Sequence, residues 1–480
     1  RNLMNLLDGI KKNNTSVSIN GSKYYDTSYN SNLDVFTMIT RFNYEPNVIN
    51  LFNNALIENE ELALANLLYI LDIREGKGER RLFKIIYKFL CNEYPNQALR
   101  ILPFISELGR YDYLLVGINT KIEKETIEVI KNQLNSDKTS DTPSLLAKWL
   151  PSIRTHKKNN LLAKKLVKLL NISEKEYRKL LAQLRLKLNI IEKNLTNKEY
   201  DKIEFDKIPA KALLKYNQAY VKNIKERYSK YKDDVKNKKS NINTSGLFSY
   251  EIVKKILSEK DYDNEIYDLM WKNQKEILEN NSENLIVVAD TSESMFQYDC
   301  IPYCTSIGLA IYISERNKGF FKNNFISFSR KPILQQIKGN TLVEKIQNIE
   351  TINATTTDID KVFELILTIS KENKLKQSDL PTKILIISDM DFNKGVYSKN
   401  STNFEGWKQA FKEIGYKLPT IIFWNAGCET KGVPVTNLDD NVIIVSGFST
   451  NILNNLLTIE KYTPEYAMLD KLSKYLKMLN

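Results

Sequence analysis

The chain has 480 residues, of which 42% are hydrophobic and 10% aromatic, and it carries a formal net charge of +12 at pH 7. This length suggests two or three domains, and this composition excludes a disordered chain. No apolar run reaches the roughly 18 residues of a membrane helix, so we expect no membrane contact and a cytoplasmic location, or a virion if the source is viral.

Helical periodicity dominates the first part of the chain, from about residue 33 to residue 280. The clearest predicted helices are 59–73, 80–90, 159–170 and 176–195. Ser173 and Glu176 have the spacing of a capping box at the start of the last of these helices. Short helices joined by short turns favour antiparallel pairs stacked as a solenoid. The polar stretch 232–246 predicts a loop or a linker.

The stretch REGKGERR (74–81) lies between two of these predicted helices. It lacks the preceding strand and the Gly-Lys-Ser/Thr ending of a phosphate-binding loop. We therefore expect a tight turn whose basic residues are exposed: Arg74, Lys77, Arg80 and Arg81.

Short apolar runs rich in Ile and Val replace this pattern after residue 283. They are NLIVVAD, NNFISFS, TKILIISD, TIIFWNAG and NVIIVSG. Runs of this kind, separated by amphipathic helices, predict buried parallel strands in a doubly wound α/β sheet. The predicted fold class is therefore α plus α/β, with a helical domain at 1–280 and an α/β domain at 281–480. Ligands in such sheets bind beyond the carboxyl ends of the strands.

The net positive charge is confined to the predicted helical domain. Residues 1–280 contain 48 Lys and Arg against 36 Asp and Glu, whereas residues 281–480 contain 22 of each sign. Residues 151–250 alone carry 25 basic and 10 acidic side chains. A polyanion is one partner that such a surface would attract, and a solvated lysine-rich surface without a ligand is the other interpretation.

Oxygen-bearing side chains follow the first and third predicted strands of the α/β domain. Asp290, Ser292 and Ser294 stand at alternate positions after LIVVA, and Asp389 follows ILIIS. Thr357 lies in the hydroxyl-rich turn NATTTDID. Carboxylates and hydroxyls suit Mg²⁺ or Mn²⁺ and are poor ligands for zinc or copper. We expect this set to form a surface site, with Asp290 as a ligand and not as a core side chain. The alternative is that Asp290 caps a helix and the serines satisfy backbone donors.

This set resembles the metal-ion-dependent adhesion site of von Willebrand factor A domains. Asp-x-Ser-x-Ser at 290–294 is followed by Thr357 and then by Asp389, in the order and at the spacing of that family. The resemblance implies that the hydroxyls touch the cation, that the aspartates act through water, and that the sixth position takes a carboxylate of a partner or a solvent molecule.

The whole chain resembles the Ro autoantigen group, in which a ring of HEAT-like repeats with the TROVE RNA-binding module is closed by an A domain. It is more similar to a TROVE-related family found in bacteria, plants, fungi and large DNA viruses. The matching stretches include LDIREGKGERRLF, AKWLP, EKEYRKLLAQLR, IPAKALLKYNQAY and VVADTSESM. The resemblance implies a HEAT-like solenoid, in the form of a ring in the Ro group, that binds small structured or single-stranded RNA.

Basic and aromatic side chains in the basic segment are the predicted RNA contacts. They are Arg178, Lys179, Arg185, Lys211, Lys215, Lys222, Lys225, Arg227, Tyr216 and Tyr220. The lysines and arginines would meet phosphates, and the two tyrosines would stack on unpaired bases. Tyrosines at helical spacing also occur as packing residues, so that interpretation stays open.

The sequence thus predicts a non-catalytic RNA-binding scaffold with a divalent-cation site. One alternative is an assembly module whose cation captures an acidic residue of a partner protein. A metal-dependent hydrolase is the other, although Ser292 stands where a phosphatase of the haloacid dehalogenase type has its second aspartate. His156 is the only histidine, which argues against histidine-based catalysis.

Overall fold

The computed structural model describes residue 6 and residues 14–259, 263–278, 284–351, 355–393 and 402–480. The chain forms two compact units. One, the sheet unit, contains Arg1–Tyr69, Glu75–Lys77 and Leu247–Asn480. The other, the helical unit, contains Ile70–Arg74 and Gly78–Gly246.

The helical unit contains ten α-helices, since every residue of 78–246 is described. They are α4 (Arg80–Glu93), α5 (Pro95–Ile101), α6 (Ile105–Leu108), α7 (Glu123–Thr139), α8 (Leu146–Trp149), α9 (Lys157–Leu169), α10 (Glu174–Lys187), α11 (Ile191–Thr196), α12 (Ala210–Asn223) and α13 (Lys225–Lys236). Short 3-10 helices lie at Leu102–Phe104, Tyr111–Gly117, Tyr200–Lys202 and Phe205–Lys207.

The predicted helices are largely confirmed. Ser173 and Glu176 form the predicted capping box at the start of α10, with the Glu176 N–H 3.1 Å from the serine hydroxyl. The predicted helix 176–195 is two helices, however. The chain breaks between α10 and α11 at Asn189, whose φ of 48° is left-handed, a conformation that asparagine tolerates better than most residues.

The sheet unit holds the strands and the remaining helices of the described residues. The strands are β1 (Thr15–Val17), β2 (Lys23–Tyr25), β3 (Leu285–Asp290), β4 (Asn324–Phe328), β5 (Pro332–Gln336), β6 (Lys383–Ser388), β7 (Thr420–Asn425) and β8 (Val442–Ser446). The helices are α1 (Ser31–Met38), α2 (Glu45–Glu58), α3 (Glu60–Leu71, whose last two residues belong to the helical unit), α14 (Ser249–Ser258), α15 (Asn264–Lys272), α16 (Ile301–Arg316), α17 (Leu342–Gln347), α18 (Asp360–Glu372), α19 (Asn403–Glu413) and α20 (Pro464–Leu479).

Six strands form one sheet in the order β5-β4-β3-β6-β7-β8. The five strands predicted from the sequence are confirmed, and neighbours among them pair in parallel as predicted. The sixth, β5, pairs antiparallel with β4 at the edge and was not predicted. From β3 the chain continues to β4 and β5 on one side of the sheet, whereas β6, β7 and β8 follow one another on the other side. The strand order therefore reverses between β3 and β6. In open α/β sheets a ligand crevice forms at this point.

Every residue of β3 and β6 is buried, because helices cover the central strands of the sheet. Val288 and Ile386 belong to a hydrophobic cluster that also contains Phe363 of α18 and Trp407 of α19. α16, which also packs against α14, contacts β3, β4 and β6. The sheet is therefore a rigid support for the loops at its carboxyl ends.

The division into units differs from the predicted domains. The predicted boundary at 280/281 lies outside the described residues. The chain leaves the helical unit after Gly246, so α14 and α15 belong to the sheet unit, and α14 packs on α16. This crossing is at the end of the polar stretch 232–246 that the sequence marks as a linker, although its first five residues complete α13.

Lys77 is buried, although the turn REGKGERR predicts an exposed side chain at this position. It is 1% exposed, and its ammonium group donates to the Phe36 carbonyl at 2.6 Å and to the Ser446 hydroxyl at 2.8 Å. Those acceptors lie in α1 and at the end of β8, so a lysine in a predicted surface turn is a core contact of the sheet unit. Among the described residues, no helix is both long and apolar enough to cross a membrane.

Candidate functional site

The predicted cation ligands gather where the strand order reverses. Asp290 is the last residue of β3, and Asp389 directly follows β6, its parallel neighbour. Ala289 is paired in register with Ile387, so Asp290 lies level with Ser388, and Asp389 is one residue further along at the same carboxyl end of the sheet. The register of two strands that are far apart in sequence thus places both carboxyl groups at the crevice.

Asp290 is fully buried, which corrects the expectation of a surface position. One carboxylate oxygen accepts from the Ser292 N–H at 2.9 Å, and the Ser388 hydroxyl donates to the other. No lysine or arginine in the described part of the chain is paired with it. Burial, together with the nearby Asp389 carboxylate, raises the pKa of Asp290 to about 7.

The two serines connect Asp290 to Asp389. The Ser292 and Ser294 hydroxyl oxygens are 3.2 Å apart, and Ser292 is 1% exposed. The Ser294 hydroxyl also bonds the Asp389 carboxyl group. Burial raises the pKa of Asp389, and this hydroxyl only partly opposes the effect. Two carboxylates and two hydroxyls therefore form one continuous polar cluster.

Thr357 reaches this region through its backbone. Its N–H donates to the Asn393 side-chain oxygen at 3.1 Å, and its carbonyl accepts from the Asn393 N–H at 3.0 Å. Asn393 lies on the same loop as Asp389. The Thr357 hydroxyl is buried and has no hydrogen-bond partner among the described residues. An unsatisfied buried hydroxyl costs about 1–3 kcal/mol, which a ligand atom would recover.

These features fit a hard divalent cation. A cation would compensate the adjacent carboxylates, and it would give the unpartnered Thr357 hydroxyl a bond. The described residues contain no group of three or more histidine, cysteine, aspartate or glutamate side chains placed to hold a metal.

A pocket of about 250 Å³ opens beside Ser294 and Asp389. The hairpin β1–β2 forms one wall: the Ser18 hydroxyl donates to the Phe392 carbonyl at 3.2 Å, and the Asn20 amide donates to the Asp391 carbonyl at 2.9 Å. Neither this wall nor the bond from Ser388 was predicted. Only the tertiary fold brings the start of the chain to these loops.

The predicted RNA contacts all lie in the helical unit, but they do not share one role. Seven are exposed: Arg178, Lys179, Lys211, Lys215, Lys222, Lys225 and Arg227. Arg227 bonds the carbonyls of Tyr200 and Ile203, which joins α13 to the segment before α12. Tyr216 is half-buried, with the Lys215 ammonium 4.8 Å from its ring centroid.

Tyr220 is buried, so the prediction that it stacks on a base is wrong. Its ring packs against Phe205 and Tyr228 at centroid distances of 5.3 Å each. The alternative interpretation is therefore correct: this tyrosine is a packing residue of α12.

A cavity of about 1480 Å³ lies within the helical unit. Nine basic residues line it: Arg80, Lys84, Arg110, Lys148, Lys158, Arg178, Arg185, Lys193 and Lys215. Two acidic residues line it: Asp112 and Glu192. Three of the predicted contacts are among the nine: Arg178, Arg185 and Lys215. The other six were not predicted as contacts, and four of those six precede the basic segment 151–250.

Comparisons with known proteins give two family matches and one relative. The family model described as "Domain of unknown function (DUF7788)" matches residues 284–474, which contain all five predicted cation ligands. The model described as "Domain of unknown function (DUF2828)" matches residues 124–291. The chain is 28% identical over 506 residues to "Uncharacterized protein L728" of Acanthamoeba polyphaga mimivirus, covering 96% of this chain and 88% of that protein. These names carry no activity, so function rests on the two sites.

Proposed function

We propose that this protein is a non-catalytic RNA-binding scaffold whose helical unit holds small structured or single-stranded RNA. The observation that carries this proposal is the cavity of about 1480 Å³ with nine basic and two acidic residues in its wall. Such an excess of positive charge attracts a polyanion and binds it in a salt-dependent manner.

An aromatic side chain favours RNA over other polyanions. Trp149 lines the same cavity and is half-buried, so part of its ring is accessible. Aromatic rings that border basic grooves stack on unpaired bases, and the stacking tolerates any base sequence. A sulfated polysaccharide would use the charges but has no base to stack on this ring.

The sheet unit would contribute the second site of the scaffold. We propose that Asp290, Ser292, Ser294, Thr357 and Asp389 hold Mg²⁺ or Mn²⁺. When bound, the cation would supply a positive charge for a carboxylate or a water molecule. The buried Asp290 carboxylate, the half-buried Asp389 carboxylate and the unpartnered Thr357 hydroxyl support this assignment. The strand order, with one antiparallel edge strand, supports a fold like the von Willebrand A domain.

The helical unit supports a TROVE-like module only in general terms. Its short helices contact their sequence neighbours, as α10 contacts both α8 and α9, which is the arrangement of stacked repeats. We propose the HEAT-like architecture on this basis and on the sequence resemblance.

A second candidate function is assembly with an acidic protein partner. The pocket of about 250 Å³ beside Ser294 and Asp389 favours it, because a partner side chain could reach a bound cation there. In that case the basic cavity would have no ligand.

Ultraviolet crosslinking tests the proposed function. The full chain would be crosslinked in its native cell, and both the attached RNA and the crosslinked peptides would be sequenced. We expect enriched RNA joined to peptides around Trp149 and α10. Recovery of background RNA alone, or of peptides from the sheet unit only, would contradict the proposal and favour the assembly function.

A further inference from the structure

One carboxylate in the cavity wall holds three basic side chains. Asp112 lies in the 3-10 helix Tyr111–Gly117 and is 8% exposed. Arg110 donates to both of its oxygens through Nε and Nη2, each at 2.9 Å. Arg80 Nη2 is 2.9 Å from Oδ2, and Lys84 Nζ is 3.2 Å from the same oxygen. These contacts therefore join the first turns of α4 to the 3-10 helix Tyr111–Gly117.

The charges within this group do not balance. A single carboxylate cannot neutralise two guanidinium groups and one ammonium group. Burial lowers the pKa of Lys84, and the attraction of Asp112 only partly offsets this. A partly buried cation without full compensation is a costly arrangement that a further anion relieves. The cavity thus presents preorganised donors for a second anion.

A planar surface adjoins these donors. The Arg110 guanidinium carbon is 3.9 Å from the centroid of the Trp149 ring, and the Lys148 ammonium is 5.6 Å from it. All three residues line the cavity. Arginine and tryptophan planes are the surfaces on which proteins stack unpaired RNA bases.

We propose that Arg80, Lys84, Arg110 and Trp149 form a subsite for one unpaired nucleotide, with its phosphate on the basic group and its base at Trp149. None of these four residues was predicted from the sequence to contact RNA. The inference rests on the proposed function, because it places one nucleotide of the bound RNA. Asp112 accepts from the same three side chains, and its negative charge opposes the phosphate.

The test is a fluorescence anisotropy titration of the full chain with a labelled octa-adenylate RNA. Trp149→Leu should weaken binding roughly 10-fold, since the base loses its stacking surface. Trp149→Phe keeps an aromatic plane and should retain most of the affinity. Lys84→Gln should weaken binding roughly 5-fold through loss of a charge-assisted bond.

Lys131→Gln is the matched control, because Lys131 is exposed on α7 of the same unit and lies outside the cavity. Its affinity should stay within 2-fold of the parent. Asp112→Asn should not weaken binding, because the competitor for the phosphate is removed. Weaker binding by this variant than by the parent would show that Asp112 orients the arginines and would overturn its role as a competitor of the phosphate.

The outcomes separate the two proposals. If the parent binds no RNA, the proposed function fails. If the parent binds but Trp149→Leu and Lys84→Gln match Lys131→Gln, the subsite is wrong while RNA binding stands. Binding of adenosine monophosphate, measured by calorimetry, without binding of the octamer would identify a free nucleotide as the ligand and overturn the assignment to RNA.

Discussion

Arg185 shows how a predicted RNA contact can have a structural role. Its guanidinium group donates to the carbonyls of Ala147 and Leu150 at 2.8 and 2.7 Å and to the Ser152 hydroxyl at 2.6 Å. Burial lowers the pKa of this group. These bonds satisfy the carboxyl end of α8, whose last carbonyls have no partner within the helix.

Arg185→Lys should therefore destabilise the helical unit. A lysine cannot reproduce the planar fork that reaches three acceptors, so we expect the free energy of unfolding to fall by about 1–2 kcal/mol. Urea denaturation followed by circular dichroism measures this loss. Arg178→Lys is the control, because Arg178 is exposed on the same helix and should change stability by less than about 0.5 kcal/mol. Equal stability of the two variants would contradict the anchoring role.

Asp290→Asn should remove the effect of Mg²⁺ on stability. Bound cation stabilises the folded parent by mass action, by about 2.7 kcal/mol at one hundred times the dissociation constant. With EDTA present, the variant should be at least as stable as the parent, because the buried member of two adjacent carboxylates is gone. Thermal unfolding with and without Mg²⁺ measures both effects. Asp299→Asn, whose side chain is 79% exposed, should respond to Mg²⁺ as the parent does.

Thr357→Val tests the same site without a change of charge. Valine matches the shape of threonine and lacks the unpartnered hydroxyl, so the variant should be slightly more stable than the parent in EDTA. It should also gain less from Mg²⁺. A parent-like response to Mg²⁺ in both Asp290→Asn and Thr357→Val would remove the cation assignment.

Much of this residue-scale picture follows from the sequence. Alternate oxygen-bearing positions after an apolar run predict that Asp290, Ser292 and Ser294 converge. The burial of Asp290 and its bond from Ser388 were not predicted, because both depend on the pairing of β3 with β6. Local sequence carries no record of which strands become neighbours.

At the scale of elements, the hairpin β1–β2 depends on contacts with distant loops. Tyr25 and Val433 exchange two backbone hydrogen bonds of 2.9 Å each. Its strands have three residues each, which is too short for a hairpin to be stable alone. This explains why the sequence did not predict it, whereas β3, β4, β6, β7 and β8 are recognisable as continuous apolar runs.

Gly432→Ala should detach this hairpin. A Cβ atom at Gly432 would collide with the Tyr24 ring and with the Tyr25 carbonyl oxygen. We expect a loss of about 1–3 kcal/mol in the free energy of unfolding, and faster amide hydrogen exchange in residues 14–25. Gly246→Ala is the control, since the nearest atom to its Cβ would be 3.9 Å away. Unchanged exchange in the hairpin of Gly432→Ala would show that this close approach is wrong.

At the scale of the whole molecule, charge and fold are divided between the two units. The sequence locates the basic excess in 151–250, and five of the nine basic residues of the cavity wall belong to it: Lys158, Arg178, Arg185, Lys193 and Lys215. The other four come from earlier helices and loops: Arg80, Lys84, Arg110 and Lys148. Composition along the chain reveals a basic segment, but only the packing of the helices determines which of its charges face a common cavity.

The salt dependence of RNA binding tests most directly whether this cavity holds RNA. Each lost phosphate contact should flatten the plot of log affinity against log salt concentration by about 0.7–0.9. Arg178→Gln/Lys215→Gln removes two charges of the cavity wall and should flatten the slope by about 1.4–1.8. Lys211→Gln/Lys222→Gln removes two exposed charges outside that wall on α12 and should change it by less than half as much. Equal slopes for the parent and the cavity variant would contradict RNA binding in this cavity.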